Sequence, residues 1–337
     1  MTGKATARDV AQAAGVSVST VDRVLNGRGG VAAEKERRVL DWARRLRLDR
    51  ALDQRPARTL RITVLIQPPE NPFHAALQSA FEAANDGFRH LNMQFRVAHV
   101  APADPSATAQ AIRAHAGADA MAICVAHDAE IAAALAAFAD QGKPVVTLAT
   151  AIRDGGRHTY VGPDNWKAGR VAGELMGRLM GPAGGEVVMI AGMLSMIGHE
   201  EREMGFRSVL RERHPQCRLI EVLQSLEQGE RAGDLVYRTL KRNPGVRGLY
   251  NASAGAQPVV DAILALGRRD EVIFITHELT EERRKLLRDG LIDAVIDQNP
   301  EVEVRTAVEV LAAYFGRIEA PPRTTITPIQ IHMIENC

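Results

Sequence analysis

Residues 6–26, TARDVAQAAGVSVSTVDRVLN, carry the pattern around which the rest of the chain is organised. Thr6 is followed three residues later by Asp9, an N-terminal capping pattern that predicts a helix beginning near residue 7. Gly15 can adopt the left-handed conformation of a sharp reversal, and Ser17 can cap a second helix. The stretch therefore predicts two short helices joined by a tight turn.

The second helix, predicted over 18–26, has an apolar side and a side that is free for contacts. Because the helix has about 3.6 residues per turn, its apolar side is formed by Val21, Val24 and Leu25. Its outer side is formed by four residues at positions i, i+1, i+4 and i+5: Val18, Ser19, Asp22 and Arg23. This arrangement is typical of a helix-turn-helix, whose second helix enters the major groove of DNA. Periodicity alone equally allows a plain helical hairpin.

The same stretch resembles the start of the lactose-repressor (LacI/GalR) family of bacterial transcription regulators. The resemblance rests on D-V-A-x-x-A-G-V-S-x-x-T-V-x-R-V-L-N, which runs over residues 9–26 and covers nearly every patterned position. It implies sequence-specific binding to double-stranded DNA, and we expect Arg23 over a guanine to be the strongest single contact. The predicted DNA-binding residues are Thr6, Ser17, Val18, Ser19, Thr20, Asp22, Arg23, Asn26, Arg28 and Leu52.

The charge of the chain is unevenly distributed. Residues 1–60 hold 13 Lys or Arg against 7 Asp or Glu, whereas the remainder of the 337 residues holds 29 against 34. A basic head on a mildly acidic body suits phosphate contacts at one end of the molecule. Without the predicted helix-turn-helix, an ordinary solvated charge run would be the simpler interpretation.

Several other classes of protein find little support. The three cysteines are far apart, which indicates neither a disulfide framework nor a zinc site. Because the N-terminus lacks the apolar segment of a secretion signal and no run of 18 apolar residues occurs, we expect a cytoplasmic protein without a membrane partner. The pairs at 199–200 and 277–278 begin like H-E-x-x-H, but positions 203 and 281 are both Glu. We therefore expect no metal, no cofactor and no enzymatic activity.

The segment between head and body departs from the family pattern. Residues 33–46 predict a third helix that completes a DNA-binding domain over 1–46, and residues 47–60 form a charged connector. In relatives this region typically holds a hinge helix after a P-N-x-x-A motif, and that motif is absent here. Leu52 is a candidate for an apolar wedge in the minor groove, and an inert linker with its arginines near phosphates is equally consistent.

From residue 61 onward, short apolar strands alternate with amphipathic helices. This pattern predicts an α/β body with parallel sheets covered on both faces. The predicted strands are 61–66, 95–100, 120–125, 145–150, 186–191, 218–222, 248–251, 272–276 and 293–297. The series divides near V-G-P-D-N at 161–165, which predicts two lobes with a cleft between them.

This body resembles the type I periplasmic sugar-binding-protein fold of LacI/GalR regulators. The shared landmarks are N-P-F at 71–73, V-G-P-D-N-W-K-A-G at 161–169 and R-E-M-G-F at 202–206. The resemblance implies one lobe of about 61–161 with 299–322, and a second of about 162–298 with 323–337. The predicted fold class is thus a three-helix helix-turn-helix domain followed by a two-lobed α/β effector-binding and dimerisation domain over 61–337.

Ligands of open α/β lobes bind beyond the carboxyl ends of the strands, and that rule selects residues in the cleft. The predicted effector-binding residues are Asn71, Phe73, His74, Thr150, Trp166, Arg202, Asn251, His277, Glu278 and Gln298. Planar amides, carboxylates and a guanidinium pair with adjacent hydroxyls, while an aromatic ring covers a C–H face, so the set predicts a sugar or polyol. For each residue a local role is also open, such as pairing of Arg202 with Glu201 or Glu203.

The resemblance adds detail at three of these positions. Arg202 matches the arginine of R-x-x-G-F that usually grips the effector in the family. Glu278 stands where relatives commonly have Asp, and His277 stands where an apolar or aromatic residue is usual. These two departures leave the identity of the effector open.

We predict a transcription regulator, acting as a repressor, that binds an inverted-repeat operator as a homodimer or tetramer. A sugar or polyol in the cleft would change the closure of the lobes and hence the spacing of the two heads. Two hypotheses of other classes stand beside it: a solute-binding component of a transport system, and a metabolic enzyme that uses the cleft for catalysis.

Overall fold

The N-terminal head is a bundle of three short helices. The computed structural model describes residues 5–26, 28–46, 48 and 58–337. The helices are α1 (Ala7–Ala14), α2 (Val18–Leu25) and α3 (Ala33–Arg45). The predicted cap of α1 is confirmed, since Thr6 Oγ1 accepts the Asp9 N–H and Asp9 Oδ2 accepts the Thr6 N–H.

The turn and the core of the head follow from the sequence pattern. Gly15 ends α1 with φ 65°, a left-handed conformation that costs glycine little. Six buried residues form the core of the bundle: Val10, Ala11, Ala14, Val21, Val39 and Ala43. Trp42 packs against the edge of this core and is only partly buried.

The first lobe contains a five-stranded parallel sheet in the order β2-β1-β3-β4-β5. Its strands are β1 (Leu60–Ile66), β2 (Met93–His99), β3 (Ala120–Ile123), β4 (Val145–Leu148) and β5 (Thr159–Val161). The helices that follow its first three strands are α4 (Pro72–Gly87), α5 (Pro105–Ala114) and α6 (Ala129–Ala139). Apolar strands covered by helices on both faces agree with the predicted α/β class.

The second lobe contains a six-stranded sheet in the order β11-β10-β9-β8-β6-β7. Its strands are β6 (Gly185–Ala191), β7 (Cys217–Gln224), β8 (Val246–Asn251), β9 (Ile273–His277), β10 (Ala294–Asp297) and β11 (Gln330–His332). Only β11 is antiparallel to its neighbour. The helices are α7 (Asn165–Met180), α8 (Ile197–Arg213), α9 (Gly229–Arg242), α10 (Ala256–Ala265) and α11 (Glu281–Arg288).

The chain returns to the first lobe after β10. There α12 (Pro300–Tyr314) packs against α4, and the residues of α12 belong to the same apolar core as β1. The last segment then runs back past Gly162, whose N–H donates to Thr325 O at 3.1 Å, and forms β11 before a short 3-10 helix at Ile334–Asn336. Strands β5 and β11 were not predicted because each has only three residues, too few for a periodic pattern to show.

Two helices of the second lobe approach each other at backbone contact. A Cβ atom on Gly169 of α7 would lie 2.0 Å from the carbonyl oxygen of Arg202 in α8. A Cβ atom on Gly205 of α8 would lie 2.0 Å from the carbonyl oxygen of Trp166 in α7. Glycine at both positions therefore sets the distance between the helices and places the first turns of α8 at the cleft. In the part of the chain that the structure describes, no helix could cross a membrane.

Candidate functional site

The outer face of α2 is exposed as the helix-turn-helix prediction requires. Val18 is 44% exposed although it is apolar, and Ser19, Asp22 and Arg23 are exposed beside it. Within the described residues, the Arg23 side chain forms no hydrogen bond or ion pair, so it is free to reach a base or a phosphate.

The other predicted DNA-binding residues have roles in the head itself. Ser17 Oγ accepts the Thr20 N–H at 3.2 Å, and the two hydroxyls lie 2.9 Å apart, so both serve the cap of α2. Asp22 accepts from Asn26 Nδ2 at 2.7 Å and from Arg28 Nη1 at 3.2 Å. This network orders the end of α2 and the residues that follow it.

Thr6 likewise caps α1, as described above. The predicted wedge at Leu52 lies outside the described residues, and so do Arg47, Arg50 and Arg55 of the connector.

Between the lobes lies a narrow cavity, in which the centre of a water molecule can reach a volume of about 40 Å³. Seven of the ten predicted effector-binding residues line it: Asn71, Phe73, His74, Thr150, Arg202, Glu278 and Gln298. They come from the N-termini of α4 and α8 and from loops after β4, β9 and β10. Most of the residues selected by the rule that ligands bind beyond the carboxyl ends of parallel strands therefore lie around one cavity.

Three predicted residues do not line the cavity, and this corrects the prediction for them. Trp166 is 40% exposed on the outside of α7, where the Arg170 guanidinium lies 4.8 Å from its ring centroid. Asn251 is buried and holds a local turn, because its Oδ1 accepts the Ser253 N–H at 3.0 Å. His277 is buried in the sheet, where its Nε2 lies 2.6 Å from the Tyr250 hydroxyl.

Arg202 is the centre of a buried hydrogen-bond network. Its Nε donates to Asn165 Oδ1 at 2.9 Å, and its Nη2 donates to Gln298 Oε1 at 2.9 Å. Gln298 Nε2 in turn donates to Glu278 Oε1 at 2.7 Å. The local pairing of Arg202 with a neighbouring glutamate does not occur: Glu203 instead pairs with Arg207 on the outside of α8.

Two glutamates in the cavity adopt the left-handed backbone conformation. Glu278 has φ 64° and Glu227 has φ 61°, values that are rare for residues other than glycine and that often mark functional positions. Burial raises the pKa of Glu278 to about 8 and that of Glu227 to about 7, and the positive charge of Arg202 opposes both shifts. One oxygen of each carboxyl group, Glu278 Oε2 and Glu227 Oε1, accepts no hydrogen bond from the protein, although Glu227 Oε1 lies 3.6 Å from His199 Nδ1.

Hydrogen bonds join the two lobes around the cavity. Asn71 Nδ2 of the first lobe donates to Glu227 Oε2 of the second at 2.8 Å. The Gly198 N–H at the start of α8 donates to Thr150 Oγ1 at 3.1 Å. The lobes are thus held closed over the residues that line the cleft.

The histidines of the cavity are uncharged hydrogen-bonding groups. Burial lowers the pKa of both His74 and His199 to about 3. His74 Nδ1 accepts the Gln67 N–H at 3.2 Å, so its proton is on Nε2. No group of three or more His, Cys, Asp or Glu among the described residues could hold a metal ion.

Besides Ser253, sequence reasoning missed one acidic and two basic side chains of the cavity. Glu227 follows the end of β7, so the strand-end rule applied consistently would have found it. His199 lies in the first turn of α8 and was considered only as part of a metal motif. Arg283 lies in the first turn of α11, and no sequence signal distinguished it from the other arginines of that helix.

Comparison with protein families agrees with both parts of the structure. Residues 6–47 match bacterial regulatory proteins of the lacI family, and residues 62–317 match the periplasmic binding protein domain. The chain belongs to the lacI family of bacterial regulatory proteins. This lacI-family chain is therefore a DNA-binding regulator with a sensor body of the periplasmic-binding-protein type, and it is not an enzyme.

The body of this lacI-family regulator is similar to sugar-binding proteins. It is 23% identical over 180 residues to the D-ribose/D-allose-binding protein of Pseudomonas aeruginosa, covering 50% of this chain and 56% of that protein. It is 26% identical over 147 residues to the D-allose-binding periplasmic protein of Escherichia coli, covering 43% and 47%. The chain spans about half the length of these curated relatives.

A solved structure shows the same fold. The solute-binding protein of an ABC transporter from Burkholderia graminis, in complex with D-arabinose, matches with a TM-score of 0.76 and 21% identity. The match covers 83% of this chain and 97% of that one, so it includes both lobes of the body.

Proposed function

We propose that this regulator is a cytoplasmic repressor that binds an inverted-repeat operator as a homodimer and responds to a sugar or polyol in the cavity. The observation that carries the effector assignment is the set of buried polar atoms in the cavity that form no hydrogen bond with the protein. Glu227 Oε1 and Glu278 Oε2 are free acceptors, and Arg283 Nε and Nη1 are free donors. A ligand with several hydroxyl groups can donate to the first two and accept from the others.

The geometry also supports a mechanism for the response. The effector would contact Arg202 and Glu278 of the second lobe and Asn71 and Phe73 of the first. Binding would therefore favour the closed cleft, and the change in closure would alter the spacing of the two heads on DNA. Similarity to proteins that bind D-allose, D-ribose or D-arabinose supports a monosaccharide-sized ligand.

Fluorescence anisotropy on DNA from the protein's own promoter region, with and without candidate sugars and polyols, tests this proposal. We expect sequence-specific binding that one class of ligand weakens. Arg202→Ala should bind the operator normally and lose the response, because it removes the centre of the cavity network. A normal response in this variant would contradict the cavity assignment, and a failure of the wild-type chain to prefer the operator would contradict the role in repression.

A further inference from the structure

The cavity contains two buried guanidinium groups that lack a carboxylate partner. Arg202 is 3% exposed and Arg283 is 1% exposed. The acceptors of Arg202 are the side-chain amide oxygens of Asn165 and Gln298. The only acceptor of the Arg283 guanidinium among the described residues is the Ser253 carbonyl oxygen, at 3.2 Å from Nη2. All of these acceptors are neutral, and neither guanidinium forms an ion pair with any described carboxylate.

Burial lowers the pKa of Arg283 and raises the pKa of Glu227 and Glu278, so it disfavours the charged form of each group. Arginine keeps its proton at every pH that proteins experience. The carboxyl groups of Glu227 and Glu278 can instead become neutral by binding a proton, and burial raises the pKa of both. Protonation of these two carboxyl groups would leave the charges of Arg202 and Arg283 without a counter-charge among the ionisable groups that line the cavity.

An unpaired buried charge is costly, so a ligand that compensates it gains affinity. A neutral polyol would accept hydrogen bonds from Arg283 Nε and Nη1 but would bring no negative charge to either guanidinium group. An anionic group would compensate them and would form shorter, charge-assisted hydrogen bonds. A cationic ligand would be repelled by both guanidinium groups.

We infer that the effector is a sugar or polyol bearing an acidic group, a carboxylate or a phosphate, that binds to Arg283. This inference rests on the proposed function, because it specifies the ligand of the same cavity. The hydroxyl groups of the ligand contact Glu278, Glu227 and Asn71, while the acidic group lies in the part of the cavity beside α11.

Calorimetric titration of the full chain with matched ligands tests the inference. Each set has the same carbon skeleton, for example D-glucose with D-glucuronate and D-glucose 6-phosphate, and D-ribose with D-ribonate and D-ribose 5-phosphate. We expect the acidic member of the recognised set to bind about 10- to 100-fold more tightly than its neutral member. Preference for the carboxylate or the phosphate identifies which acid is used.

Two variants distinguish the cavity from general charge effects. Arg283→Met keeps an unbranched side chain but removes the charge, so it should abolish the preference for the acid. Arg284→Met is the matched control, because Arg284 is its neighbour on α11, pairs with Glu281 at 3.6 Å and does not line the cavity. It should keep the preference.

A second measurement does not depend on the carbon skeleton. Inorganic phosphate should raise the melting temperature of the wild type above that in sodium chloride of equal ionic strength, and Arg283→Met should remove this increment. The inference is wrong if the neutral sugar binds as tightly as its acidic counterpart, or more tightly, and phosphate does not raise the melting temperature of the wild type. The proposed function would still stand if that neutral sugar released the operator. The proposed function would be wrong, independently of this result, if the chain bound its operator no more tightly than random DNA.

Discussion

The Glu227→Gln substitution isolates the effect of a buried carboxyl group on stability. The Glu227 side chain is 5% exposed, and its Oε2 accepts from Asn71 Nδ2 at 2.8 Å. Glutamine keeps an oxygen for this hydrogen bond, so the lobes remain connected, but it cannot ionise. The variant therefore differs from the wild type mainly in the cost of a buried negative charge.

The pKa values give the sign and the size of the effect. Burial raises the pKa of Glu227 from 4.5 to about 7, so the folded protein binds this proton more tightly than the unfolded chain does. The corresponding contribution to stability is fully present below pH 4.5 and is lost as the pH rises to 7. At 1.36 kcal/mol per pKa unit, the free energy of unfolding falls by about 3 kcal/mol over this window.

Urea unfolding without ligand, followed by circular dichroism at a series of pH values, measures this contribution. The variant should gain stability relative to the wild type as the pH rises from 5 to 8, by about 2–3 kcal/mol in all. Glu230→Gln on α9 is the control, because Glu230 is exposed and its replacement should cause no comparable change with pH. A difference between Glu227→Gln and the wild type that stays constant with pH would refute the argument, because Glu227 would then be ionised in the folded protein throughout.

Three further predictions concern the head and the packing of the second lobe. Arg23→Ala should weaken operator binding by about 1–3 kcal/mol at one base position and leave effector binding unchanged. Equal losses on operator and random DNA, measured by anisotropy, would instead make Arg23 a phosphate contact. Thr6→Ala removes one half of the α1 capping box and should lower the stability of the head by about 1 kcal/mol in thermal unfolding, whereas an unchanged melting temperature would show that the cap is dispensable. Gly205→Ala should lower the stability of the body by about 1–3 kcal/mol, because its Cβ would lie 2.0 Å from Trp166 O, while Gly87→Ala, with no atom within 4 Å, should cost nothing. Equal melting temperatures for these two variants would contradict the close contact of α7 and α8.

The amino-acid sequence by itself determined the local structure and the fold class. Capping at Thr6, the reversal at Gly15 and the periodicity of α2 depend on neighbours within one or two turns, so a linear pattern records them. The parallel strands of the body were predicted for a similar reason, because strands buried on both faces are short continuous apolar runs. Even the cleft was partly predictable, since the carboxyl ends of such strands form one edge.

Only the tertiary structure decided which polar side chains share the cavity. Arg283 lies in the first turn of α11, and its guanidinium donates to the Ser253 carbonyl oxygen, 30 residues earlier in the chain. Asn251 and Trp166 have the right residue types, but the fold uses one to hold a turn and leaves the other on the surface. The burial of a side chain and its distance from a partner depend on contacts between elements far apart in the chain. Spacing along the sequence therefore could not show that two arginines are buried without forming an ion pair with a carboxylate. It is this charge, and not the residue types alone, that specifies what the cavity should bind.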